Sequence, residues 1–301
     1  MMNSKLLVFG GSGLVGSKFI QLHSQAFEIK APIATEVDIL NQDQLLKFVQ
    51  DFEPDTIINL AAYTQVESAE AQKGDKDGVC YQINAIGAKN VADVCRELNK
   101  KLIHISTEYV FDGTKESSPY TEEDKPNPIN WYGQTKYAGE QFVSESGCAS
   151  TIARICMPFS PFYELKKDIA RFFLGELQNG RQIKAIEDQR VTPTLVNYIV
   201  NALKVLIESE TKGLYHISST DSVTPLEFAK TIAEIFGLDY SLISSVKFED
   251  YNKDKKAKLL KYSWLNPTKF EEQFGEGILH TVIEGLILFK KEIDAAAGNQ
   301  L

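Results

Sequence analysis

The chain is poor in the residues that build metal sites, disulfides and basic surfaces. Its four cysteines, at 80, 95, 148 and 156, contain no C-x-x-C spacing, and its four histidines, at 23, 104, 216 and 280, lie far apart. Neither a metal-ligand cluster nor a disulfide framework is expected, and a reducing, cytoplasmic compartment is. No apolar run reaches membrane-spanning length, and the opening residues MMNSKLLVFGG pass straight into a strand. No membrane anchor or signal segment is therefore expected. Arginine occurs five times and the formal net charge is −9. That balance argues against nucleic acid or an anionic membrane as the main partner. An anionic ligand would need helix N-termini and a few local cations.

What is present is a strand–helix alternation. In 301 residues there is room for one large domain or two lobes. Short apolar runs at 5–10, 56–60, 102–106 and 151–155 read as buried strands, with a further strand at 27–33. Stretches 14–23, 85–98 and 132–144 have helical periodicity, as does a segment that Asn41 can cap, with Leu45, Leu46, Val49 and Phe52 on its apolar side. Short links between them predict right-handed βαβ units. The expected fold is α/β, a Rossmann-type doubly wound parallel sheet. After Ile155 the texture changes. MPFSPFYELKK is aromatic and loop-like, 169–177 is helical, Thr224-Pro225-Leu226-Glu227 is a capping box, Asn266-Pro267 opens a helix, and 240–262 is irregular and lysine-rich. We expect a dinucleotide-binding domain over 1–155 and a smaller mixed α/β substrate lobe over 156–301, some of whose segments return to the first domain.

Gly10, Gly13 and Gly16 form G-x-x-G-x-x-G between the first strand and the first helix. Glycines let a backbone turn tightly and approach a pyrophosphate, and the helix N-terminus behind them, at Leu14 and Val15, offers free amides. NADPH or NADH is the cofactor this implies. The end of the second strand, Glu28-Ile29-Lys30-Ala31-Pro32, has no clear acidic ribose ligand, and Lys30 leans toward the 2′-phosphate form. Asp38 and Ile39 are candidates to flank the adenine. Leu60, Ala61, Ala62 and Tyr63, at the end of the next strand, are candidates for close cofactor contact.

Tyr132 and Lys136, four residues apart, share one helical face. A nearby ammonium is expected to lower the phenol pKa toward working pH, so that the tyrosine exchanges a proton with a carbonyl oxygen. The spacing Y-x-x-x-K arises about once by chance in such a composition, and it occurs three times, at 132/136, 163/167 and 251/255. Only Tyr132 opens the helix after the fourth strand, where strand ends converge. Thr107, just past that strand, is the candidate hydroxyl for the carbonyl, with Ser106 as its competitor.

These stretches, with PDTIINLAAYTQVESAE (54–70), Asn84, HISTEYVFDG (104–113), Pro119-Tyr120, Gly139-Glu140, DQRVTPT (188–194) and GLYHIS (213–218), resemble the extended short-chain dehydrogenase/reductases. Their order is similar to that of the dTDP-4-dehydrorhamnose reductase branch. The resemblance implies Thr107, Tyr132 and Lys136 as catalytic residues and a 4-keto-6-deoxy nucleotide sugar as substrate, bound between the lobes. It also implies substrate contacts from Glu108, Tyr109, Met157, Arg190 and Tyr262, and allows a homodimer. Four positions depart from the branch. Glu108 replaces an aspartate. Arg154-Ile155-Cys156-Met157 lacks a substrate-facing aromatic. Leu259–Ser263 lacks an arginine. Lys18 stands where some members carry a glutamate linked to a metal-bridged dimer. Two other readings stay open: a nucleotide-sugar epimerase or dehydratase using Glu108, and a non-catalytic regulatory subunit like the β subunit of methionine adenosyltransferase.

Overall fold

A computed structural model describes residues 4–298. Six parallel strands form the main sheet in the spatial order Glu28–Lys30, Lys5–Phe9, Thr56–Asn59, Lys101–Thr107, Ala149–Ile155, Gly213–Ile217. The alternation of side chains along each strand feeds two cores. Leu6, Val8, Ile58, Ile103 and Ala153 pack on one face beneath the helices Leu14–His23 and Val196–Glu208. Leu7, Phe9, Ile57, Leu102 and Ile152 pack on the other beneath Gln42–Phe52 and Ala88–Glu97. Burial on both faces explains why the strands read as continuous apolar runs rather than alternating ones.

Local signals set the helix starts. The Asn41 side chain accepts from Gln44 N at 3.1 Å, and Thr224 and Glu227 complete both halves of the capping box, with Pro225 opening the helix Pro225–Phe236. Asn130 accepts from Gly133 N at 2.9 Å and so fixes the start of the helix Trp131–Glu145. The second strand is shorter than expected, Glu28–Lys30, because Pro32 and Ile33 leave the sheet to line a cavity instead. The helix expected over 85–98 starts earlier, at Val79–Tyr81, and passes through a widened turn, Gln82–Gly87, before becoming regular again at Ala88–Glu97. That turn places Asn84 so that its Oδ1 accepts from Tyr63 N at 2.8 Å and its Nδ2 donates to Thr135 Oγ1 at 3.0 Å. The loop after the third strand is thereby tied to the Tyr/Lys helix.

Beyond Ile155 the chain builds three two-stranded parallel ribbons: Pro158–Phe159 with Thr194–Leu195, Ile183–Ile186 with Ile243–Val246, and Arg190–Val191 with Tyr262–Ser263. The strand Gly213–Ile217 crosses back to become an edge of the main sheet. Asn130 Nδ2 donates to Lys258 O at 2.9 Å and holds the late segment against the start of the Tyr/Lys helix. Among the described residues no helix is long and apolar enough to cross a membrane.

Candidate active site

A cavity of about 660 Å³ opens along the carboxyl ends of the main-sheet strands. The glycine turn forms one wall. Gly10 has φ +79°, and a Cβ there would lie 2.6 Å from the Leu60 carbonyl carbon; a Cβ on Gly16 would lie 2.3 Å from Gly10 O. The fold itself therefore requires glycine at both positions. Gly13 differs: its φ is −73°, and a Cβ would come no closer than 3.1 Å, to Gly10 O. What Gly13 keeps free is the cavity side. The helix Leu14–His23 that follows has no side-chain cap and no acid in its first turn, so its leading amides and positive dipole end are available to an anion. Gly13→Val should weaken NAD(P)H binding several-fold or more while leaving the protein folded. A fluorescence titration alongside a melting curve checks this, and unchanged affinity in the folded variant refutes it.

Along the rest of the cavity lie Leu14, Val15, Asp38, Ile39, Leu60, Ala61, Ala62, Ser106, Thr107, Glu108, Tyr109, Tyr132, Lys136 and Met157. Most of the candidate residues are thus brought together. Ser106 Oγ is buried and has no hydrogen-bond partner among the described residues, which suits a polar ligand against that wall. A dinucleotide fits this lining: small residues for close approach, an unpaired hydroxyl, and amides for its phosphates.

Three candidates are elsewhere. Tyr63 is outside the lining, its backbone tied to Asn84. Arg190 and Tyr262 are register partners in a two-stranded ribbon, not cavity residues. Arg190 Nη1 reaches Glu227 Oε2 at 3.2 Å, both side chains about half exposed, and the neighbouring Glu116 carboxylate pushes the Tyr262 phenol up. An exposed pair of this kind contributes about 1 kcal/mol or less. Arg190→Ala should accordingly change both stability and KM little; a large rise in KM without a loss of thermal stability would restore it to the substrate cleft. Lys30, expected at the ribose, instead lies over the rings of Phe48 and Phe52, 4.7 and 5.2 Å from their centroids. Two aromatic faces next to the strand end capture the ammonium. The 163/167 pair is set aside as a proton donor because it lies in a loop, but the aromatic and basic residues of 157–167 are expected to line the cleft, and Tyr163, Lys166 and Lys167 do line the cavity. Tyr163 donates to Ser12 O at 3.3 Å and Lys166 to Thr64 O at 3.0 Å, so this segment straps across the glycine turn.

At the chemical end, Thr107 terminates its strand. Its hydroxyl accepts from Tyr109 N at 3.3 Å and donates to Glu108 Oε2 at 2.7 Å. The Tyr132 ring is buried edge-on to Tyr109, centroids 5.6 Å apart. Lys136, one turn along, is buried and donates to Ile105 O at 2.7 Å. Burial lowers Lys136 to about 8, against the opposing pull of Glu140. The expected depression of Tyr132 is reversed. Burial and then the neighbouring Glu108 push the phenol up, with the Thr107 hydroxyl working the other way. Desolvation outweighs the ammonium, whose head is turned to the Ile105 carbonyl. Tyr132 is therefore a neutral acid at neutral pH, the form a proton donor needs.

Beneath the pair, Glu140 and Arg154 form a buried two-pronged ion pair, Nε–Oε1 2.8 Å and Nη2–Oε2 2.6 Å. Lys18 is also buried and paired, to Glu292 at 2.8 Å, so that position serves an internal bridge. No group of residues with metal-holding geometry occurs among the described residues.

The sheet order, the glycine turn and the Thr–Tyr–Lys end together are those of an extended short-chain dehydrogenase/reductase. The family described as RmlD substrate binding domain matches residues 4–281, and the chain belongs to it. The structure of dTDP-4-dehydrorhamnose reductase from Bacillus anthracis str. Ames in complex with NADP is similar, with TM-score 0.88 and 32% identity, covering 97% of this chain and 100% of that one. The dTDP-4-dehydrorhamnose reductase of Aggregatibacter actinomycetemcomitans is 29% identical over 285 residues, 90% of this chain and 94% of the relative. The methionine adenosyltransferase 2 subunit beta of Rattus norvegicus is 28% identical over 251 residues, 79% of this chain and 73% of the relative.

Proposed function

We propose that this protein reduces the ketone of a 4-keto-6-deoxy nucleotide sugar, of the dTDP-4-dehydrorhamnose type, with NADPH or NADH. The observation that carries the reading is the convergence of Thr107, Tyr132 and Lys136 on the cavity walled by the glycine turn. The amides after Gly13 hold the diphosphate of the dinucleotide, and Asp38 and Ile39 flank its adenine. When bound, the nicotinamide supplies the hydride. Thr107 and Tyr132 donate hydrogen bonds to the ketone oxygen and draw charge onto it. Tyr132 then gives up its proton to the forming alkoxide. Lys136 stabilises the phenolate left behind and orients the ribose. Met157, with φ 39°, and Tyr109 shape the sugar side of the cavity.

A binding-only role, to which the β-subunit resemblance points, has no use for a buried Tyr132–Lys136 pair. A cytoplasmic location agrees with four free thiols. The test is a turnover screen of dTDP-, UDP- and GDP-4-keto-6-deoxy sugars, with NADH and NADPH in parallel. The reading calls for cofactor oxidation that depends on one of these sugars. Tight cofactor binding with no turnover on any of them would shift the reading to a regulatory subunit.

A further inference from the structure

Thr107 has one hydroxyl proton, and it is already committed. Its Oγ1 donates to Glu108 Oε2 at 2.7 Å, inside the cavity and 5% and 3% exposed respectively. A hydroxyl that donates to a carboxylate cannot also donate to a ketone. We propose that Glu108 is a positioning residue that controls Thr107: as a carboxylate it captures the hydroxyl proton, and as a neutral acid it donates to Thr107 Oγ and releases that proton toward the substrate carbonyl. This inference rests on the reductase reading and adds a gate to it.

The surroundings allow both states. Burial raises the Glu108 carboxyl to about 7, against stabilising hydrogen bonds from Thr107, its own amide, the Cys156 thiol and the Met157 amide. The titratable groups facing it are Tyr132 from the helix Trp131–Glu145, Tyr109 from its own turn and Cys156 beyond the strand Ala149–Ile155. Burial pushes all three upward, so they stay neutral while Glu108 titrates. Lys136, lowered to about 8, also titrates near neutrality, and burial lowers Lys166 elsewhere in the cavity. The sign follows: the competent form is the protonated one, so kcat falls as pH rises through the Glu108 midpoint. The loss should be about two- to tenfold, the effect of one hydrogen bond.

Two measurements test the gate. The first uses the full chain without cofactor or substrate. Isotope-edited infrared of carboxyl-labelled glutamate, taken as wild type minus Glu108→Gln, gives the Glu108 midpoint. Thr107→Val should raise that midpoint, since a donor to the carboxylate is lost, and Thr107→Ser should keep it. An unmoved midpoint in Thr107→Val, or a Glu108 that stays in one state across the neutral range, overturns the proposal whatever the enzyme reduces. The second is the kcat–pH profile on the best substrate of the turnover screen. Glu108→Gln cannot ionise, and its amide donates permanently to Thr107. The limb near neutrality should vanish in this variant, leaving only the higher one of Lys136. Persistence of the lower limb assigns it to another group and overturns the gate. Absence of turnover in the wild type at every pH is a failure of the reductase reading alone, and the infrared result still decides the coupling.

Discussion

Tyr132→Phe should lose turnover by ~10²–10⁴-fold while keeping cofactor affinity, because a single general acid contributes that much to a proton-coupled step. The variant removes one oxygen from a ring that stays packed against Tyr109, so the fold has little reason to respond. The loss should fall on kcat and kcat/KM together, the pattern of an interaction made in the transition state. Tyr251→Phe is the control, since Tyr251 is 41% exposed and outside the cavity. Tyr163→Phe is not a neutral control, because its hydroxyl reaches the Ser12 carbonyl. Its effect should appear in cofactor affinity instead. Near-parental kcat in Tyr132→Phe would remove Tyr132 from the chemistry.

Glu140→Ala should be the most destabilising single substitution near the site. Arg154 is among the largest fully buried side chains and loses both prongs of its ion pair. An uncompensated buried charge costs about 3–5 kcal/mol, a large share of a typical domain's 5–15 kcal/mol. Among the described residues Arg154 Nη1 has no hydrogen-bond partner, and the Phe111 ring lies 5.0 Å from the guanidinium. Replacing both partners, Glu140→Leu with Arg154→Met, should recover most of the loss, since the penalty lies in the orphaned charge. Urea denaturation of the three proteins measures this. A loss under about 1 kcal/mol for Glu140→Ala would mean that water reaches Arg154. Glu140 also opposes the burial-driven lowering of Lys136, so a folded Glu140→Ala variant should show the Lys136 limb at lower pH.

Much of the fold was legible because its signals are local. Apolar runs closed by glycine, a capping asparagine at 41 and the capping box at 224–227 each act within a few residues, and the structure has them where the pattern puts them. The Tyr132/Lys136 spacing was legible for the same reason, since residues 132 and 136 share a helix face in any helix. The early start of the next helix, at Val79, and its widened turn at Gln82–Gly87 were not legible, because that turn answers to Tyr63 and Thr135, distant in sequence.

By itself the sequence determined the parallel α/β order, the glycine turn, and one hydroxyl–tyrosine–lysine set at the carboxyl ends of the strands. Periodicity and spacing carry that information because neighbours along the chain impose it. Only the tertiary structure decided what each polar group faces. Packing turned Lys30 onto Phe48 and Phe52, sent Arg190 to Glu227, joined Lys18 to Glu292, and laid Tyr163 across the glycine turn. It also reversed the sign of the Tyr132 shift, because the environment of a phenol is set by how much water the surrounding elements exclude, and desolvation is a property of the assembled cavity rather than of any stretch of chain.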